Sequence, residues 1–142
     1  MEIKIGERTI PMVYTTYEAI AIQREIGCTV YQLNDEVFGI RQLNEDDPES
    51  IVFDCVTDAD KTEKLGRLIR ILGNAGLEEI GEEGNLTDKW VLRHIKQSMI
   101  LPYAIAMIGV INEGNRMETS KEPKGPVDET LEEERTKKST EI

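Results

Sequence analysis

The chain has little of what active sites are built from. It carries one histidine, His94, and two cysteines, Cys28 and Cys55, in 142 residues. With a single imidazole, no Ser-His-Asp or Cys-His pair can be built around any other histidine. His94 lies on a helical stretch near Arg93 and Lys96 and reads as a structural side chain. The cysteines are 27 positions apart and form no C-x-x-C pair. With one histidine they fall short of the usual four ligands of a structural zinc. They read as two small apolar residues in a reducing cytoplasm. No apolar run reaches the roughly 20 residues needed to cross a bilayer. The opening M-E-I-K-I-G has neither a basic n-region nor an apolar h-region, so a cytosolic location is expected.

Bases are also in short supply. Seventeen Lys and Arg face 28 Asp and Glu, a formal net charge of −11. Nucleic acids and anionic membranes are bound by neutralising phosphates with Lys and Arg, so neither is expected as a partner. The same charge keeps the chain soluble and discourages self-association, while leaving a homo-oligomer open. The acidity is uneven. Residues 34–63 hold ten acids against Arg41 and Lys61, and a second group, Glu78, Glu79, Glu82, Glu83 and Asp88, has no base inside it.

What is present reads as one small α+β domain over residues 1–118, mainly helical with an N-terminal β-hairpin, followed by a tail over 119–142. The length suffices for a modest core without disulfides or metal. Ile3 and Ile5 alternate with Glu2 and Lys4, the period of a half-buried strand. Gly6-Glu7 makes the turn, and residues 9–13 return with Pro11 at an edge. T-T-Y-E at 15–18 fits a capping box. Ala19, Ile22 and Ile26 then share a helix face, with Ile20 beside them, and Gly27 ends the helix. Val30, Leu33, Val37 and Ile40 keep helical spacing and suggest a short helix near 30–37. Residues 44–50 form an acidic loop. Residues 51–56 are β-branched and aromatic, suiting a strand or a direct entry into the next helix. Asp58 or Asp60 caps that helix, whose apolar stripe is Leu65, Leu68, Ile69 and Leu72. It is expected to close near Asn74 in G-N-A-G-L, with Arg67 and Arg70 toward its negative end. Thr87-Asp88 starts a helix with Trp90, Val91 and Ile95. Ser98 caps a last helix over 99–118, with Pro102 in its first turn. Beyond it, two prolines, many charges and few apolar residues predict disorder, with at most a transient helix near 127–137.

Three features invite a chemical reading. Glu45, Asp46, Asp47 and Glu49 could hold a cation, but lack the D-x-[DN]-x-[DN]-G order of a calcium loop and read as a solvated loop. G-N-A-G-L resembles a scrap of a phosphate loop, but it follows a helix and opens none with a lysine. No catalytic residue, cofactor or metal ligand is therefore assigned. The third feature is the run M-I-L-P-Y-A-I-A-M-I-G-V-I at 99–111, thirteen residues without a charge. It is either a core helix or a surface meant for another protein. Met99, Tyr103 and Met107 form one stripe, and Ile100, Ala104, Ile108 and Ile111 the next. Two stripes exceed what a small core needs, and methionine suits surfaces that accept varied apolar partners. The Ile-Ala stripe is expected to face the core, and Met99, Tyr103 and Met107 a partner.

The order of these pieces, I-K-I-G-E-R-T-I-P-M, then Y-T-T-Y-E-A-I-A-I-Q-R-E-I-G, then L-G-R-L-I-R-I-L-G-N-A-G-L and L-T-D-K-W-V, resembles the tail assembly chaperones of long-tailed bacteriophages and related prophages. The resemblance covers roughly residues 1–112. The segment 34–60 is longer and more acidic than that pattern. The resemblance implies a non-enzymatic helper in the bacterial cytoplasm that coats the long, apolar, helical tape measure protein and keeps it soluble. Such a helper is displaced as tail tube protein polymerises and is absent from the mature virion. The family often adds a longer frameshifted product, and this chain would match the short form. Two other classes stay open. One is an acidic DNA mimic that inhibits a host protein, although the charge sits mostly in loops. The other is a structural tail component retained in the particle.

Overall fold

The computed structural model describes residues 1–116, so the expected tail over 119–142 lies outside the described residues. The α+β expectation holds: two small antiparallel hairpins and four helices share one core.

The first hairpin pairs β1 (Glu2–Ile5) with β2 (Arg8–Pro11), bringing Ile3 opposite Ile10 and Ile5 opposite Arg8. Gly6 turns the chain at φ 64°, a left-handed conformation that costs glycine little. Ile5 and Ile10 are fully buried. A hairpin of this size needs a surface to lie on, and that surface is the long helix described below. α1 (Thr16–Glu25) begins with the expected capping box: the Thr15 amide donates to Glu18 Oε1 at 2.9 Å, and the Tyr17 amide donates to Thr15 Oγ1 at 3.2 Å. Ile22 and Ile26 turn inward, but Ile20 remains half exposed. Gly27, at φ 94°, follows the helix end as expected.

The segment read as a short helix near 30–37 is a 3₁₀ turn (Val30–Gln32) followed by a π-helical turn (Asn34–Phe38). Gly39 stops it in the left-handed region at φ 60°. The chain then enters a second hairpin that helical spacing had hidden, with β3 (Ile40–Gln42) paired to β4 (Ile51–Phe53). The acidic loop is the connection of this hairpin. Residues 51–56 fulfil both readings offered for them, a strand and then a 3₁₀ turn (Asp54–Val56) leading to a helix.

That helix, α2 (Ala59–Glu79), is the hub of the fold. At 21 residues it is about 31 Å long. Asp58 caps it, accepting from the Asp60 and Lys61 amides. Leu65, Leu68, Ile69 and Leu72 are buried to 2% exposure or less. α2 touches α1, α3, α4, β2 and the turns at 34–38 and 54–56. It does not close near Asn74. Gly73 and Gly76 lie inside it, where a side chain would collide with Leu86 and with the Pro11 carbonyl respectively. These glycines serve close packing, and the chain leaves the helix at Ile80 with Gly81 left-handed at φ 84°.

Consequently Arg67 and Arg70 are mid-helix cations and do not serve the helix terminus. Their Nε atoms donate to the two Asp88 carboxylate oxygens at 3.1 and 2.6 Å. Arg70 also reaches Glu25 Oε1 at 2.7 Å, so the pair ties α1 and α3 to α2. Those arginines hold the Asp88 carboxyl below the usual range against the opposing effect of burial. α3 (Asp88–Arg93) is capped by Thr87, whose Oγ1 accepts from the Trp90 amide at 3.0 Å. Ile95 falls beyond its end. α4 (Ile100–Asn115) is entered through a 3₁₀ turn (Gln97–Met99), so Ser98 is not its cap, and no side chain caps it. Pro102 falls in its first turn as expected.

Candidate functional site

His94 is a packing residue. Its ring stacks on Trp90 with centroids 4.3 Å apart, its Nδ1 lies 2.8 Å from the Trp90 carbonyl oxygen, and Gly6 of the hairpin turn abuts it. Cys28 and Cys55 are both buried and unbonded, and burial pushes their thiols up, Cys55 to about 11. Residues 73–77 are helix interior. Among the described residues, no group of three His, Cys, Asp or Glu side chains is arranged to hold a metal ion, and no helix is long and apolar enough to cross a membrane.

The apolar helix carries both a core face and a surface face, but the phase differs from the expectation. Ala104, Val110 and Ile111 point into the core, as does Ile100, while Ile108 is only partly buried. Met107 is fully buried as well, so it is not available to a partner. Its position seven residues after Ile100 and three after Ala104 puts it on the inward side. Tyr103 is half-buried, and its hydroxyl donates to the Lys4 carbonyl oxygen at 2.5 Å, fastening α4 to β1. Burial raises its pKa. Of the three expected partner-facing residues, Met99 alone is well exposed, at 43%.

The exposed stripe of α4 is instead Leu101 and Ile105, one turn apart, at 39% and 53% exposure. It does not stand alone. Leu43 and Ile51 of the second hairpin, at 63% and 50%, line the same open groove, with Val52, Phe53 and Val56 at its floor. The groove measures about 580 Å³. A neighbouring hollow of about 400 Å³ lies between the turn at 56–57, Leu92, Ile95 and Ile100 and shares Val56 and Thr57 with it. The helix and the hairpin thus present a continuous apolar face. Large apolar side chains standing in water together mark interaction surfaces far better than single ones do.

The polar edge of the groove is built by Arg41 and Asp54. Arg41 Nε donates to both Asp54 carboxylate oxygens, at 3.1 and 2.8 Å. The hydrogen bond to Arg41 holds the Asp54 carboxyl below the usual range. The pair spans the β3–β4 ladder, and the Asp54 amide donates to the Gly39 carbonyl at 2.9 Å. A side chain at position 39 would strike Asp54 Cβ and the Lys61 stem. The hairpin is thereby packed against the start of α2 on this side of the groove.

This arrangement offers apolar contact area. Leu43, Ile51, Leu101 and Ile105 were not singled out by periodicity. The run 99–111 is apolar on every side, so it cannot say which stripe its neighbours will cover. Ile51 lies in an apolar, β-branched segment, but its partner strand β3 is only three residues long and carries little signal of its own. No protein-family model, no curated protein and no solved structure matches this chain.

Proposed function

We propose that this chain is a non-enzymatic tail assembly chaperone that holds the apolar, helical tape measure protein of a long-tailed phage or prophage in solution until the tail tube forms around it. The observation that carries this reading is the open groove bounded by Leu43, Ile51, Leu101 and Ile105 on a chain whose net charge is −11. Completing the burial of a half-exposed Leu or Ile contributes about 1 kcal/mol, so these four together supply roughly 4 kcal/mol of gross attraction for a client. Like charge on the outer surfaces keeps coated complexes apart. The order of capped helices and hairpin that resembles the chaperone family points to the same role. On this reading the protein works in the cytoplasm of the bacterial host and is left out of the finished particle.

Co-expression with the tape measure protein of the same phage tests it. The expected result is a soluble client that co-purifies with the wild-type chain and precipitates alongside a Leu101→Ser/Ile105→Ser variant. A client that stays insoluble with both chains, and that neither captures, would overturn the proposal. Mass spectrometry of purified virions separates a chaperone, which is absent, from a structural tail component, which is present.

A further inference from the structure

The two sides of the groove are chemically unlike. Leu43 and Ile51 lie on the hairpin side, and the Leu43 amide donates to the Ser50 carbonyl at 2.8 Å. These two residues line the groove and bracket the loop 44–50, so the loop that carries Glu45, Asp46, Asp47 and Glu49 continues directly from the groove's hairpin side, although none of the four lines the groove itself. The loop is held in one shape. Gln42 Nε2 donates to the carbonyls of Asn44 and Asp47, both at 3.0 Å, and Ser50 Oγ donates to the Asp47 carbonyl at 2.8 Å. Among the described residues, no Lys or Arg lies within salt-bridge distance of these four carboxylates. Arg41, the one base in residues 34–60, is bound to Asp54. The apolar trough is therefore adjoined on its hairpin side by a loop of four carboxylates that no described Lys or Arg pairs with. A second copy of this chain is a poor occupant, since it would bring a further charge of −11 and another acidic loop.

We propose that the groove receives an amphipathic helix from the partner, with a Leu/Ile-type stripe over Leu101 and Ile105 and a cluster of Lys and Arg over the loop 44–50. Leu101 and Ile105, at i and i+4, form one ridge of α4, and such a ridge seats against the stripe of a second helix. The carboxylates then fix which way the helix lies, because reversing it would place its basic end away from the loop. This inference rests on the docking face of the preceding section and adds the partner's charge pattern and polarity. It also gives four of the ten acids in residues 34–63 a task.

The test uses the full chain and two labelled 20-residue peptides with the same leucine stripe, one ending in four lysines and the other in four glutamates. The lysine peptide binds about tenfold tighter at low salt, the worth of three exposed ion pairs. The gap closes in 1 M NaCl, where the Debye length is about 3 Å. The variant Glu45→Gln/Asp46→Asn/Glu49→Gln weakens the lysine peptide to the level of the other and does not weaken the glutamate peptide. Asp47 is left intact because its Oδ1 accepts from the Glu49 amide at 3.0 Å and shapes the loop. Leu101→Ser/Ile105→Ser abolishes both. Equal binding of the two peptides, lost in the serine variant, would overturn this inference and leave the docking face standing. Failure of both peptides to bind would overturn both. Concentration-dependent dimerisation that Ile105→Ser removes would make a second copy the occupant and also overturn it.

Discussion

Helix propensity and packing make opposite forecasts for Gly76→Ala. By propensity, alanine in the interior of α2 stabilises by about 1 kcal/mol. In the fold, a Cβ on Gly76 would lie 1.8 Å from the Pro11 carbonyl oxygen, 2.3 Å from its carbon and 2.9 Å from the Met12 nitrogen. The obstacle is backbone, so no rotamer change relieves it. The segment after β2 must move off the helix by more than about 1 Å to restore ordinary contact. That movement breaks the Val13 amide bond to the Leu72 carbonyl, 3.2 Å in the fold and worth about 1 kcal/mol. It also loosens Ile10 and Met12, exposed by only 0% and 3%. Overpacking of this kind costs about 1–3 kcal/mol, and because the lost bond and the propensity gain offset one another, the net destabilisation is about 1–3 kcal/mol. The internal control is Gly109→Ala in α4, where the nearest atom outside the helix is the Met1 methyl at 3.5 Å, an ordinary contact. It stabilises by up to about 1 kcal/mol. Urea denaturation followed by circular dichroism reads both, and opposite shifts in midpoint at constant slope are expected. If Gly76→Ala matches or exceeds the wild type, the hairpin is not seated on α2 through this glycine.

Asp88→Asn costs about 1–2 kcal/mol at neutral pH, because it removes a charge-assisted acceptor from both Arg67 and Arg70. The Asp88 pKa is lowered in the fold, so its contribution is complete above the ordinary carboxylate pKa and is lost as pH falls through the lower folded value. The stability gap between wild type and variant is therefore flat from about pH 5 to 8 and closes below about pH 4, and a gap that persists at acid pH would contradict the pairing. Thr15→Ala opens the capping box of α1 and lowers stability by about 1 kcal/mol, read as a shift in denaturation midpoint; no shift would mean the cap is idle. Cys55 is fully buried with its thiol pushed up to about 11, so iodoacetamide at pH 8 labels it only through opening of the core. Its labelling rate should rise with urea in step with unfolding, and labelling of the native protein at the rate of a free thiol would refute the burial.

The elements that were legible carry their signals within a few residues. The β1–β2 hairpin is written in the alternation of Ile3 and Ile5 and in a glycine at the turn. The Thr15, Asp58 and Thr87 caps each precede the amides that they serve. What stayed hidden depends on residues far along the chain. Gly73 and Gly76 look like a helix terminus locally, but their reason is the approach of Pro11 and Leu86. Arg67 and Arg70 look like partners of a helix dipole, but Asp88 is 21 and 18 positions away and Glu25 lies on the opposite side in sequence. β3 is three residues long, and Ile40 completes a helical spacing with Val37 that is broken in space by the left-handed Gly39.

The docking face follows the same logic. A helix that is apolar all round has no phase of its own, and its neighbours decide which stripe is left in water. Here the first hairpin and α2 decide it. Lys4 takes the Tyr103 hydroxyl, the core takes Met107 and Ala104, and the remaining side of α4 is Leu101 and Ile105. The second hairpin could have covered that side with its own strand residues. It leaves a trough open, with β4 passing directly into the turn at 54–56 and Arg41 paired to Asp54 along the trough's polar edge. Leu43 and Ile51 therefore face the same open trough as Leu101 and Ile105. Removing the ion pair with Arg41→Ala loosens the groove's polar edge and should let the end of the hairpin move toward Leu101 and Ile105. An apolar reporter dye that binds the wild-type groove would then bind more weakly, while unchanged binding would show that the hairpin keeps its place without the ion pair.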